Sequence, residues 1–203
     1  METTWESVHV GGRKVGAVVR RRTPTQLRTL VCLEPVVDNV ATVEHDGDVH
    51  HWSHLEFIGR DEVHAAERES SERLLVDGQH LTIPADTLPA SATYLLLDAM
   101  LAGCGTEAEF HLLDDAHPDN APRPAHFSVD NPREVTLPDG SRRELGAVTL
   151  YVEERAEAHF YFDSHEVIAS EIEDATWVKE PSVEHALEGL DAGVAERVRT
   201  FLA

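Results

Sequence analysis

The run His45-Asp46-Gly47-Asp48-Val49-His50-His51-Trp52-Ser53-His54 is the densest set of metal-capable side chains in the chain. Imidazole nitrogens and a carboxylate bind zinc-like ions when three of them reach one point. If Asp46-Gly47 makes a two-residue hairpin turn, His45 lies opposite Asp48 and Val43 opposite His50. Period-two alternation then sends His45, Asp48, His50, Trp52 and His54 to one face. On that geometry His45, Asp48 and His50 share one metal ion, and a metal-assisted hydrolase becomes one candidate function. His54 lies roughly 13 Å along the strand from His50 and stays outside the set. The chain has 13 histidines, so imidazoles exposed on a hairpin tip are the competing explanation.

A second candidate is His159, Tyr161 and Asp163, which alternation places on one strand face opposite Phe160 and Phe162. An acid, a base and a hydrogen-bond donor could cooperate there; an ordinary polar outer face is the competing expectation. No other signature of chemistry is present. The chain lacks a G-x-S-x-G nucleophile elbow, a phosphate-cradling G-x-x-x-x-G-K-[ST] loop and a dinucleotide G-x-G-x-x-G turn. No cofactor is therefore expected. Cys32 and Cys104 form no C-x-x-C pair and are expected to be small core residues in a reducing compartment. Cys104 also follows the C-terminus of a predicted helix, the wrong end for an activated nucleophile.

These residues need elements to hold them, and the prevailing signal is the β-hairpin. Gly11-Gly12, Asp46-Gly47, Asp77-Gly78 and Asp139-Gly140 sit between segments rich in Val, Leu and Thr. A two-residue turn at Asp77-Gly78 pairs Leu74 with Leu81, and the same construction at Gly11-Gly12 pairs Val8 with Val15. Further strands are predicted over 27–34, 36–45 and 167–172, with Val148, Leu150 and Val152 on one face of another. Consecutive hairpins imply an antiparallel meander. The segment 114–132 contains Pro118, Pro122, Pro124 and Pro132 and reads as a long loop.

Two segments depart from the β pattern. Residues 88–103 read as a helix led by Pro89 and stopped by Gly103, with Leu95, Leu96, Leu97, Met100 and Leu101 in its body. A helix apolar on nearly every side has to be surrounded. A strongly curved antiparallel sheet does this, so the expected fold is α+β and mainly antiparallel β: a half-barrel wrapped around one central apolar helix, with a C-terminal helix. Residues 1–180 form that unit and 181–203 a helical tail. Val183, Leu187, Leu190, Val194, Val198 and Phe201 make an amphipathic stripe on the tail, capped by Ser182 and weakened by Gly189 and Gly193. The stripe is expected on the domain's own sheet; a homodimer through the C-terminal helix is the alternative.

Charge narrows the partners. With 38 acidic against 17 basic residues the formal charge is -21, a field that repels nucleic acids and anionic membranes. The one basic run, Arg20-Arg21-Arg22, is expected to be a solvated strand end. The N-terminus shows neither the basic nor the apolar region of a secretory signal, and no apolar stretch is long enough to span a bilayer. The expected location is cytoplasmic.

The order of features resembles the periplasmic lipoprotein-carrier and related half-barrel families. The resemblance rests on an opening G-x-x-x-G strand pair (Gly12 and Gly16), the run of hairpins, and the proline-led apolar helix in mid-chain. The closing strand Phe160-Tyr161-Phe162-Asp163, followed by Val167 and Ile168, completes it. It implies a non-enzymatic binder of a small hydrophobic or lipid-like ligand held between sheet and helix. The residues placed there are Leu95, Leu97, Met100, Leu101, Phe160 and Phe162. The absence of an export signal in residues 1–6 departs from the exported carriers. Beside ligand binding and metal-assisted hydrolysis stands a third reading, a protein-interaction or structural module using the tail stripe.

Overall fold

A computed structural model describes residues 1–35 and 37–203. Among the described residues fifteen strands form one continuous sheet. The chain starts in the middle of it with β1 (Glu2–Val10) and β2 (Arg13–Arg22), then β3 (Gln26–Leu33) and β4 (Val37–His45). The predicted strand 36–45 is thus β4, with Val36 outside the described residues. It meanders outward through β5 (Trp52–Ile58), β6 (Val63–Ser70), β7 (Arg73–Val76) and β8 (Gln79–Thr82) to one edge. The opposite edge is β9 (Thr87–Pro89), paired in parallel with β10 (Glu107–Leu113). Helix α1 (Thr93–Ala102) lies between them in sequence. The chain then meanders back through β11 (Arg123–Thr136), β12 (Arg142–Val152), β13 (Arg155–Asp163), β14 (Glu166–Ile172) and β15 (Ala175–Glu180), which pairs with β1.

This order forces curvature. Laid flat, fifteen strands at the usual spacing would put β8 and β9 about 65 Å apart. Only residues 83–86 separate Thr82 from Thr87, a reach of at most about 18 Å. The sheet must curl until its edges nearly meet, and α1, which follows directly, is carried inside. The seam is held by side chains. Trp52 Nε1 donates to the Thr87 carbonyl (2.8 Å), and Arg68 donates to the same carbonyl (3.1 Å) and to that of Ala85 (2.6 Å).

Across α1 the two limbs of the sheet pack into one core. Leu97, Met100 and Leu101 meet Trp52, Leu55 and Leu74 from one limb and Phe110, Phe127 and Phe160 from the other. Glycine permits two of the closest approaches. A Cβ on Gly16 would stand 2.3 Å from the Cys32 carbonyl oxygen, and one on Gly146 would stand 2.3 Å from the ring of Phe162. On the outer face, α2 (Val183–Leu187) and α3 (Ala192–Leu202) lay Leu187, Val194, Val198 and Phe201 over Ala17, Val19 and Leu30. Ser182 accepts from the His185 N–H at the start of α2, and Gly189 (φ 80°) turns the chain between the helices. The stripe considered for a second copy is spent on the protein's own sheet.

Several local expectations are corrected. Leu74 pairs with Leu81 as read from the turn. Val8 pairs with Gly16, one position beyond Val15, because a bulge follows Val8. The predicted helix 88–103 begins as strand β9, continues as a single 3-10 turn over Ala90–Ala92, and becomes α-helical only at Thr93. The long loop is shorter than 114–132. Pro124 is tolerated near the start of β11, and Pro132 falls in a bulge between Asp130 and Arg133 where no ladder bond is needed. Cys32 is buried in the outer core, but Cys104 is exposed.

Candidate functional site

The metal set is not assembled. Asp46-Gly47 does not close a two-residue hairpin; β4 ends at His45, which pairs with Trp52. Between them Asp48 accepts the His50 N–H (2.9 Å) and starts a 3-10 turn over Val49–His51. His45 is buried, and its Nδ1 accepts from the Gly47 N–H (3.1 Å). Burial, and then the Arg22 charge, hold its imidazole below the ordinary pKa. Among the described residues no three His, Cys, Asp or Glu side chains come together in a metal-holding group.

The second set is likewise dispersed over separate partners. His159 Nδ1 meets Thr149 (2.9 Å), whose hydroxyl donates to Asp130 (2.6 Å). Tyr161 is buried among Ala147, Ala169 and Val135 on the outer face and donates to Glu171 (2.7 Å). Asp163 accepts from Arg143 (2.7 Å).

The expected ligand residues divide. Leu97, Met100, Leu101 and Phe160 are buried in the packed core, and Phe162 packs against its edge over Gly146. Leu95 lines a cavity of about 310 Å³ between α1 and strands β1, β2, β14 and β15. That space is charged as well as apolar. Leu95 and Val167 share it with Glu6, Arg20, Asp98 and Lys179.

Arg20 is the residue the sequence reading missed. It is 7% exposed, not a solvated strand end. Its Nη1 donates to Glu6, and its guanidinium lies 3.6 Å from the centroid of the Tyr94 ring. The other arginines of the run are spent elsewhere: Arg21 donates to the Phe201 carbonyl (3.0 Å) and Arg22 pairs with Asp98 (3.6 Å). Burial opposes the Arg20 charge, but Glu6 above all, with Tyr94 and Asp98, outweighs it, so the guanidinium holds its proton more firmly than usual. Tyr94 in turn stands edge-on to Phe160 (5.6 Å), joining the apolar core to the charged pair. Burial is the main reason that its phenol is pushed up to about 12.

Beyond Arg20 and Tyr94 lies a second chamber of about 190 Å³ that these two residues also line. Its walls are largely apolar, with Val31, Ala41, Phe57 and Trp177 among them. Five of its lining residues carry a buried polar atom without a hydrogen-bond partner among the described residues: Arg20 Nε, Thr29 Oγ1, Ser91 Oγ, Tyr94 Oη and Asp115 Oδ1. Such groups ordinarily find partners, because an unmet one costs about 1–3 kcal/mol. Asp115 is fixed by its other oxygen, which accepts the Ser91 N–H (2.9 Å) at the turn leading into α1. Burial pushes this carboxyl up to about 6, against the hydrogen bonding around Ser91 and Ala90 that favours its charge. The Ser91 hydroxyl stands near the carboxylate without closing a good hydrogen bond to it.

One signal in the sequence pointed here. Arg20 alternates with Val18 on β2, so it shares the face that β2 turns toward the helix. Nothing local marked Tyr94 or Asp115.

No family model matches the sequence, and a search among curated proteins finds no match. Among solved structures the chain is similar to a beta-barrel-like protein of the domain of unknown function DUF1849 from Brucella abortus. The identity is 9%, the TM-score 0.50, and the match covers 88% of this chain and 94% of that one. The likeness concerns the fold: a barrel-like, mainly antiparallel sheet. No helix among the described residues is long and apolar enough to cross a membrane.

Proposed function

We propose that the protein is a non-catalytic binding module that holds one small amphipathic ligand beside α1, in the paired cavities divided by Arg20 and Tyr94. One observation carries this reading. Five buried polar atoms without partners belong to residues lining the inner chamber, in a molecule whose other interior half is solidly packed. Buried polar groups left unmet by the protein are the groups a ligand is selected to meet. The expected hydrophobic ligand is thereby refined. Its apolar part would lie against the apolar walls, Leu95 and Val167 in the outer cavity and Phe57 and Trp177 in the inner one, and its polar part would meet the unpartnered atoms of the inner chamber.

Native mass spectrometry of the full chain, purified without detergent, tests for a molecule released on unfolding. Titration with 1-anilinonaphthalene-8-sulfonate supplies a second readout. Saturable one-to-one fluorescence enhancement is expected. Ala102→Trp, which adds bulk at an exposed position on the cavity wall, should abolish it. The reading fails if no molecule co-purifies and no saturable enhancement is seen, or if Ala102→Trp binds the probe like the parent chain.

A further inference from the structure

The inner chamber specifies a ligand chemistry more closely than the outer one. It holds one acidic group, Asp115, which is 8% exposed and pairs with no cationic side chain among the described residues. Its neighbour Asp114 is already engaged with His117 (3.4 Å). The other charged group on the chamber wall, Arg20, pairs with Glu6 through Nη1 and leaves its Nε unpartnered. An uncompensated buried carboxylate is costly, and a cation brought beside it recovers much of that cost. The unpartnered oxygen atoms on the chamber wall are Asp115 Oδ1 and the hydroxyls of Ser91, Thr29 and Tyr94. An ammonium group offers three N–H donors and no acceptor, and so can be met by oxygens of this set. Phe57 and Trp177 add apolar and aromatic surface for the rest of a small molecule, and an aromatic face also favours a cation. An apolar cavity of about 150 Å³ accepts benzene, so the chamber's size suits a body of one ring.

From this we infer that the inner chamber binds a small primary amine, its ammonium on Asp115 and its apolar body against Phe57 and Trp177. The inference rests on the reading of the cavities as a ligand site and adds the ligand's charge. Burial raises the Asp115 pKa, and a cation bound beside the carboxylate would lower it again.

Calorimetric titration of the full chain at pH 7.5 with benzylammonium, benzyl alcohol and benzoate separates the possibilities, because the three share a ring and differ in charge. Saturable one-to-one binding of benzylammonium is expected, with the alcohol about tenfold weaker or more and benzoate unbound. Asp115→Asn keeps a carbonyl for the Ser91 N–H and should weaken benzylammonium by about tenfold or more while leaving the alcohol nearly unchanged. If that variant does not fold, the three-probe series on the parent chain decides alone. The amine assignment is overturned if the alcohol or benzoate binds as well as the amine, if none of the three binds, or if folded Asp115→Asn binds the amine undiminished. Probe fluorescence and mass spectrometry report on the cavities independently. A failed amine series with those readouts positive removes only the amine; failure of all of them removes the ligand site as well.

Discussion

Helix α1 has two unlike sides. Toward β5–β7 and β10–β13 it is set in a dense apolar core, in which Phe110 and Phe127 lie 5.5 Å apart and Phe127 meets Phe160 edge-on at 5.8 Å. Toward β1–β4, β14 and β15 the same helix faces a buried ion pair, an unmet carboxylate and two cavities. The first side follows the rules by which a fold gains stability. The second breaks two of them at once, leaving space unfilled and polar atoms unpaired. Such violations concentrate where a protein keeps a site at the expense of stability.

The contrast can be broken from either side. The largest effect is expected in the packed half. Phe127→Ala should lower the unfolding free energy by about 3–5 kcal/mol in urea titration. A much smaller loss would mean that this half is also loosely filled. Next comes the ion pair. Removing Glu6 alone, as in Glu6→Ala, leaves Arg20 buried and unpaired and should cost about 3 kcal/mol or more. Replacing both partners, as in Glu6→Leu with Arg20→Met, should return most of that stability yet abolish probe binding. Stability recovered together with binding would show the pair to be structural only.

Asp115 gives a prediction of opposite sign. Its folded-state pKa of about 6 lies above the ordinary value of 3.8, so the native state disfavours its ionised form. The stability that it contributes is complete below pH 4, is lost as pH rises from about 4 to about 6, and stays lost above that. Asp115→Asn should therefore raise the melting temperature at pH 7.5, by the equivalent of up to about 3 kcal/mol, and change little at pH 4. A variant less stable at pH 7.5 would place Asp115 with the structural half of the molecule. The smallest effect is expected far from both halves. Arg142 and Glu134 pair on the surface (3.5 Å, side chains 70% and 69% exposed), and Arg142→Ala should shift stability by under about 0.5 kcal/mol.

Legibility in the sequence followed range. The Leu74–Leu81 register was readable because a two-residue turn dictates it. Of the two glycines read as weak points in the tail, Gly189 makes the turn between the helices, whereas Gly193 lies within α3. Reading failed where a short-range competitor intervened: the bulge after Val8, the Asp48 cap that diverts the His45–His50 segment into a 3-10 turn, and the bulge that lets Pro132 sit inside β11. The central helix and its wrapping sheet were legible from composition, since a segment as apolar as Leu95–Leu97 has nowhere else to go. The site was mostly illegible. Of the six residues expected around a ligand, Leu95 lines the outer of these two cavities, and the groups that distinguish the space came from Arg20, Tyr94 and Asp115, about 95 positions apart in the chain at their extremes.

Hydrophobic periodicity and turn chemistry, both local properties, determined from the sequence alone that hairpins would form a bent sheet around an apolar helix. Which interior positions would be filled and which left open was decided only when strands from the two ends of the chain met beside that helix. Alternation states that Arg20 points the same way as Val18. Only the curl of the sheet around α1 brings Glu6, Tyr94 and Trp177 around it and makes burial of its charge tolerable.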